Sequence, residues 1–478
     1  MSTFTIAWIG LPFFLGFVIY LIPKLDRYLA LGMALVSGGY AMLLFTKPPL
    51  TLQLLDNFGV TLVIDQLSGF FILTNALVTV AVMLYCWCSD KTAFFYAQTI
   101  ILHGSINAAF VCADFISLYV ALEVSGIAAF LLIAYPRSDR SIWVALRYLF
   151  ISNVAMLFYL VGAVLAYKAN HSFSFASLRG APPEAIALIF LGLLVKGGIF
   201  ISGLWLPLTH SEAETPVSAM LSGIVVKAGV YPLVRCALMV DEFDPIIRLF
   251  GVGTALLGVF YAVFEKDTKR MLAFHTVSQL GFILAAPKVG GFYALTHGLV
   301  KSALFMTAGA LPSRNFKELQ QKPINTRVWI ALVIASFSIS GFPMLSGFGA
   351  KVLTSKNFLP WQAIAMNIAA LGTAISFAKF IFLPRGGQGE VRRGFWPAVI
   401  LLIAGLILAN IVYFEAYTVA NIIKPLAIIG VGWIAYFLIF RRSVLKLPRV
   451  IEQFEHLIGM MSLMLILLFW MVFAWLGI

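Results

Sequence analysis

Charge is what this sequence has least of. Only 11% of its 478 residues are Asp, Glu, Lys or Arg, against 61% hydrophobic. That balance excludes a soluble globular domain and requires most of the chain to dissolve in hydrocarbon. Cysteine is scarce too: Cys86, Cys88, Cys112 and Cys236 lie in or at the ends of apolar runs. Cys86-Trp87-Cys88 is too tight for a two-residue-spaced metal knuckle, so all four read as small core residues. The sequence has no GxxxxGK[ST] phosphate loop, no GxGxxG after a strand, no HExxH and no iron–sulfur cysteine cluster. No cofactor and no metal are expected, and nothing here would bind a nucleotide or carry an electron. Any energy the protein uses must come from an ion gradient or from a partner.

Long apolar runs are abundant. About 20 residues at 1.5 Å each cross ~30 Å of hydrocarbon. Sixteen stretches meet that need, roughly 4–22, 28–45, 67–86, 94–112, 115–135, 143–167, 185–205, 217–238, 247–264, 271–287, 291–311, 327–350, 361–384, 396–417, 422–440 and 455–477. Glycine and polar residues interrupt the tenth and twelfth. No linker exceeds about two dozen residues, so a single all-α polytopic membrane domain is expected. The first run follows Met1–Phe4, which carries no basic residue, and no small-residue cleavage site precedes Lys24. It reads as the first span.

Lys and Arg alternate between the two sets of loops. One set holds Lys24, Arg27, Lys91, Arg137, Arg140, Lys266, Lys269 and Arg270, then Arg314, Lys317, Lys322, Arg385, Arg392, Arg393, Arg441, Arg442, Lys446 and Arg449. The other holds mainly Lys47, Lys168, Arg179, Lys288, Lys356 and Lys424, with Asp241, Glu242 and Asp244 among them. The positive-inside rule puts the first set in the cytoplasm and both termini outside. The net charge of +13 is then a topology signal and gives no ground for nucleic-acid binding.

Against this background, charges inside the apolar runs stand out. Glu123, Lys196, Lys227, Lys301, Lys351 and Lys379 each lie within or at the edge of one. A charge at mid-bilayer costs from about 3 to over 10 kcal/mol, so such groups usually face a wet cavity or a partner. Lys196 is followed by Gly197-Gly198 and Lys227 by Gly229 and Pro232, which weaken the helical ladder as in transporters with broken helices. Burial makes an ammonium easier to deprotonate, and a nearby carboxylate reverses that. A Glu–Lys pair that separates and re-forms would switch a lysine between holding and donating its proton. The alternative for Glu123 is a static salt bridge that fixes helix register.

Two more stretches extend the row. His297 and Lys301 share a helix face at i, i+4 spacing, and a histidine (unperturbed pKa ~6.5) between lysines suits a relay. Ile339-Ser-Gly341-Phe-Pro343-Met-Leu-Ser-Gly347-Phe-Gly349-Ala-Lys351 predicts irregular backbone at membrane depth, which only protein or water can cover.

Taken in order, these residues resemble the antiporter-like subunits shared by complex I, membrane-bound hydrogenases and Mrp-type cation/proton antiporters. The resemblance spans roughly 60–385. It rests on Asp65-Gln-Leu-Ser-Gly-Phe-Phe, the Glu123 span, Lys196 with Trp205-Leu-Pro207, and Thr215-Pro-Val-Ser-Ala through Lys227-Ala-Gly-Val-Tyr231. It continues through Asp267-Thr-Lys-Arg-Met-Leu-Ala273, Ser278-Gln-Leu-Gly281, His297 to Phe305, and Gly341 to Lys351. The resemblance implies about 14 core helices with two inverted five-helix repeats, here 94–238 and 247–384. N-terminal spans at 1–93 and C-terminal spans at 385–478 would flank them, with about two spans beyond the core. It also implies a hydrated axis with Glu123 and Lys196 as switch pair, Lys227, His297 and Lys301 as central relay, and Lys351 as terminal site. His210, Glu214, His275 and Lys379 are inlet or accessory candidates.

The chain departs from the family pattern in places. Ile199-Phe-Ile-Ser-Gly-Leu stands where many members carry Phe-Pro-x-His, and Glu214 where proline is common. Glu265 replaces the usual glutamine and His275 a small hydroxyl residue. Glu214 is either an acid on the inlet path or a solvated loop charge. The last sixty residues lie outside the resemblance and read as lateral packing against a neighbouring subunit. Lys351 and the compact loops favour the proton-translocating D-type member of an Mrp Na+/H+ antiporter, a transporter subunit with no catalytic residue. The alternatives are a proton-pumping subunit of a complex I or hydrogenase-type assembly and the membrane partner of an inorganic-carbon uptake complex. Other membrane subunits are the expected partners, in a prokaryotic cell membrane. No cluster of acids in the spans would cage sodium.

Overall fold

The computed structural model describes residues 2–55, 59–441, 445 and 447–476; Arg442 and Lys446 of the last basic loop lie outside them. A helix, or helices in sequence, stands at each of the sixteen apolar stretches. Eleven helices are long and apolar enough to cross a membrane, with shorter apolar ones at Thr326–Ser340 and Phe395–Ile411. The chain is an all-α, multi-pass membrane protein. Thr215–Met239 is buried over nearly all its length, whereas Ser2–Leu21 and Val419–Phe440 are mostly exposed. The bundle therefore has a protein-lined centre and lipid-facing flanks.

Among the described residues, strands occur only as two small pairs. Leu50–Leu55 pairs antiparallel with Gly59–Ile64, and Ile324–Asn325 pairs with Arg385–Gly387. The first pair has a positioning role. Ala113 N–H donates to Thr61 O and Val63 N–H to Val111 O, both at 2.8 Å. Asp114 then accepts from Thr61 N (2.8 Å) and caps its own helix at Ser117 N (2.7 Å). This acid at the start of the Glu123 span is a buried N-cap.

The loops of the basic set come together at one end of the bundle. Arg27 donates to Ser89 O (3.2 Å), Lys91 pairs with Glu214 (2.5 Å), Arg140 with Glu212 (3.6 Å) and Arg314 with Asp267 (2.9 Å). One cavity of about 210 Å³ is lined by Lys91, Glu214, Lys269 and Arg392, and another of about 310 Å³ by Lys266, Lys317 and Arg441. Strict alternation of spans predicts that grouping, since each second loop must emerge on the same face.

Two consecutive sets of five helical segments follow the hairpin, and the fourth segment of each is broken. Pro183–Gly197 stops at Gly198, which has φ +67°. A 3₁₀ turn, Phe200–Trp205, and the helix Leu206–Glu212 continue the crossing. In the second set Thr326–Ser340 stops at Gly341 (φ +85°) and Ser346–Lys356 resumes. Only glycine takes this left-handed conformation without strain. The eighth span differs from expectation. Pro232 lies inside the unbroken helix Val226–Met239, and the irregularity is a π-helical turn earlier, Leu221–Val225. Gly229 serves packing instead: a Cβ there would stand 2.3 Å from Gly197 N.

The tail packs on its own chain. The last helix, Phe454–Leu476, folds back and packs on Pro183–Gly197 and Phe200–Trp205 of its own chain. Leu457, Met461, Met464, Leu468 and Met471 form its buried stripe, spaced at three and four residues as a packing seam requires.

Candidate functional site

Lys196, in the last turn before the Gly198 break, donates to Ser152 Oγ at 2.7 Å. Its ammonium lies against the Glu123 helix, 2.7 Å from where a Cβ on Gly126 would stand. Glu123 is three residues from Gly126 on that same face, and its Oε1 has no hydrogen-bond partner. The two charges are neighbours without an ion pair. Ser152 holds the lysine here, and a turn about its own side chain would be needed to reach the carboxylate.

Lys227 occupies the centre. The π turn before it frees backbone carbonyls, and the ammonium takes Ser222 O (3.2 Å) and Gly223 O (2.5 Å). Gly298, beside His297, lies close enough that its Cβ would be 3.7 Å from Lys227 Nζ. Lys301 turns away from His297, donating to Leu272 O and lying 5.5 Å from the Phe305 ring centre. His210 stacks on the other side of the relay, its ring 4.7 Å from that of Phe305. His275 follows Leu272 by one turn and packs 4.7 Å from Phe377.

Lys351 has no hydrogen-bond partner among the described residues and lies 5.7 Å from the Phe282 ring centre. Two cavities meet at it. One, lined by Gln279, Thr296, His297 and Ser338, has about 10 Å³ of room, enough for roughly one water. The other, about 60 Å³, runs past Ser355, Asn367 and Asn421 to Lys424.

The two remaining accessory candidates have settled partners. Lys379 donates to Ala262 O (3.2 Å), Val263 O (2.6 Å) and Glu265 O (2.9 Å). It caps the C-terminus of Asp244–Phe264, where a cation meets both orphan carbonyls and the helix dipole. Glu214 is ion-paired with Lys91 and lines the 210 Å³ cavity.

Part of the row shares an unusual property. Glu123 Oε1, Lys351 Nζ and both ring nitrogens of His210, His275 and His297 are buried with no hydrogen-bond partner among the described residues. Folded proteins satisfy more than about 90% of such groups. Thr268, Gln279, Ser338 and Ser346 are exceptions too, and Gln279 and Ser338 line the cavity at Lys351 with His297; buried titratable groups within membrane spans mark candidate ion paths.

The family profile described as NADH:quinone oxidoreductase/Mrp antiporter, transmembrane, matches residues 112–376. That is more than half of the chain, and it contains every residue of the row except Lys379. The chain belongs to this family. The D component of the Na(+)/H(+) antiporter of Alkalihalophilus pseudofirmus is 27% identical over 437 residues, covering 81% of this chain and 88% of that one. The N component of the NADH-quinone oxidoreductase of Desulforudis audaxviator is 31% identical over 366 residues, 68% of this chain and 72% of its own. In fold, the chain is similar to one in the Mrp complex of Dietzia sp. DQ12-45-1b, with a TM-score of 0.72, 19% identity and coverage of 95% and 98%.

Sequence reasoning missed three groups. Ser152 gave a faint signal, a hydroxyl inside an apolar run. His103 and Asn107 gave a better one, two polar residues at i, i+4 in the fourth span. His103 bonds Ser37 (2.8 Å), Thr79 (3.1 Å) and Asn107 (3.0 Å), and Asn75 donates to Asn107 (2.8 Å). Every member has a partner, so the cluster ties the N-terminal spans together. Glu452, buried in the tail, carried no readable signal.

Proposed function

We propose that this chain is the proton-translocating subunit of a multisubunit monovalent cation/proton antiporter in a prokaryotic cell membrane. The observation that carries the reading is the row of buried titratable groups from Glu123 to Lys351, in which Glu123 Oε1, Lys351 and the three histidines have no hydrogen-bond partner among the described residues. Glu123 and Lys196 form the switch pair, with Ser152 as the resting acceptor when the pair is apart. Lys227, His297 and Lys301 relay the proton. Lys351 exchanges it with bulk through the cavity that runs to Lys424, on the side opposite the basic loops. Segments 94–238 and 247–384 act as the two inverted repeats, the basic loops face the cytoplasm and the N-terminus lies outside. Glu214, beside Lys91 and Lys269, supplies the cytoplasmic inlet.

The D-type antiporter relative favours sodium as counter-ion, and the NADH-quinone oxidoreductase relative favours redox-driven pumping by an assembly with peripheral subunits. Proton flux in vesicles carrying the assembled complex separates them. A sodium pulse should move protons in the wild type and fail to do so with Lys196→Ala at equal abundance. Flux that needs an electron donor instead of sodium moves the chain to the respiratory reading. Wild-type exchange by Lys196→Ala would overturn the lysine path in either case.

A further inference from the structure

The break at Gly198 creates a problem that the matched family segment solves only on one side, where Asp244–Phe264 packs on the turn and Thr254 Oγ1 accepts from Phe200 N at 2.9 Å. Between Gly197 and Leu206 the backbone leaves the α-helix, and freed carbonyls at membrane depth must be covered by protein. The tail adds a further cover. Phe454–Leu476 lies on both Pro183–Gly197 and Phe200–Trp205, with its methionine-rich stripe inward and Ile466 and Trp470 outward. Phe454 also meets Phe150, ring centres 5.1 Å apart.

At the basic end Glu452 holds this helix from a buried position, while Arg449, 66% exposed, pairs with Glu265 at 3.5 Å. Glu452 is 6% exposed and pairs with Arg270 at 2.6 Å. Its backbone carbonyl accepts from Arg147. Arg270 belongs to the helix whose Leu272 carbonyl receives Lys301, and Arg147 to the helix whose Ser152 receives Lys196. Arg270 has a second carboxylate, Glu265 at 3.0 Å. Arg147 has no carboxylate within ion-pair distance among the described residues, so its buried charge is met by the tail's carbonyl. Removing one partner of a buried charge pair is strongly unfavourable, which makes the seat of Glu452 sharply defined.

We propose that Glu452 is a positioning residue for the Lys196 site, locking the last helix as a cover over the Gly198 break so that lipid and water reach Lys196 only along the axis. The proposal rests on the lysine path for its transport consequence, but not for its geometry. With the cover loosened, Lys196 exchanges protons sideways, and proton movement separates from cation movement.

The test uses the full chain with its native cysteines replaced and Ser202→Cys as reporter, since Ser202 is buried in the 3₁₀ turn. Labelling by a membrane-permeant maleimide is compared for Glu452 intact, Glu452→Asp, Glu452→Gln, Glu452→Lys and Phe454→Ala. A third cation between Arg147 and Arg270 should expel the segment, so Glu452→Lys should raise the labelling rate at least tenfold. Glu452→Gln and Phe454→Ala should raise it severalfold, and Glu452→Asp should stay near the parent. In vesicles the same order should appear as a cation-independent proton leak. Unchanged labelling in the Gln and Phe454→Ala proteins overturns the cover, also where the Lys variant fails to accumulate. Raised labelling without a leak keeps the cover and counts against Lys196 as a proton carrier. A loss of abundance in every variant, with unchanged labelling of what remains, makes Glu452 merely structural and overturns its positioning role.

Discussion

Lys196 and Gly126 are matched in space: the ammonium occupies the ground that a Cβ on Gly126 would take, 2.7 Å away. Glycine inside a helix ordinarily costs about 0.5–1 kcal/mol relative to alanine. Here it permits the approach of a lysine head to the face that carries Glu123. Gly126→Ala should therefore separate fold from function. The obstacle is the mobile end of a long side chain, which can move aside, so the melting temperature should stay within a few degrees. Transport should fall at least tenfold. Wild-type flux with Gly126→Ala would mean that Lys196 works in another position.

Gly229 offers the contrasting case. Its Cβ would meet Gly197 N at 2.3 Å, Gly197 Cα at 2.7 Å and Leu193 O at 2.8 Å, all of them backbone atoms. Nothing there can swing away. Gly229→Ala should lower stability by roughly 1–3 kcal/mol, the usual range for overpacking, read as a lower melting temperature and lower yield of the detergent-extracted protein. Alanine tolerated at both glycines would contradict this packing.

At the far end of the row, Lys351 joins the cavity from His297 to the one that reaches Lys424. Lys351→Leu removes the titratable group and lines the junction with hydrocarbon, so proton movement should stop. Lys351→Glu keeps an ionisable group and should retain part of the flux with a displaced pH optimum. Equal, near-wild-type flux in both would take Lys351 out of the path.

Asp65 predicts a pH effect on stability. Burial alone would raise its carboxyl, but the hydrogen bond and charge of Arg235, with Ser68, outweigh this and hold it below the usual 3.8. A lowered carboxyl contributes stability that is complete above its unfolded value and is lost as pH falls through the folded one. The side chain is 21% exposed, so Asp65→Asn should cost roughly 2–3 kcal/mol near neutral pH, less than the ~3–5 of a fully buried pair. Thermal melts of the two proteins should differ at pH 7, and the gap should narrow as pH falls below about 3.8. A constant gap down to about pH 3 would show that capping, not charge, holds this corner.

Class, span positions, loop grouping and the identity of the row were all legible in the order of residues. Hydrocarbon demands ~20 apolar residues for each crossing, so runs and interruptions can be read one residue at a time. A charge within such a run is conspicuous for the same reason. Partners were settled only by packing. Lys196 could be seen as buried, yet the neighbouring helices turned it to Ser152 and set it against Gly126. Gly229 and Pro232 read as a break, whereas the irregularity falls in the π turn at Leu221–Val225 and the glycine is used for close packing. Lys379 looked like part of the axis, but the end of a neighbouring helix claims it. Glu452 and the last helix joined the Lys196 site from more than two hundred residues away. Periodicity carries information about neighbours along one chain segment, and contacts between segments depend on shapes that no single segment contains.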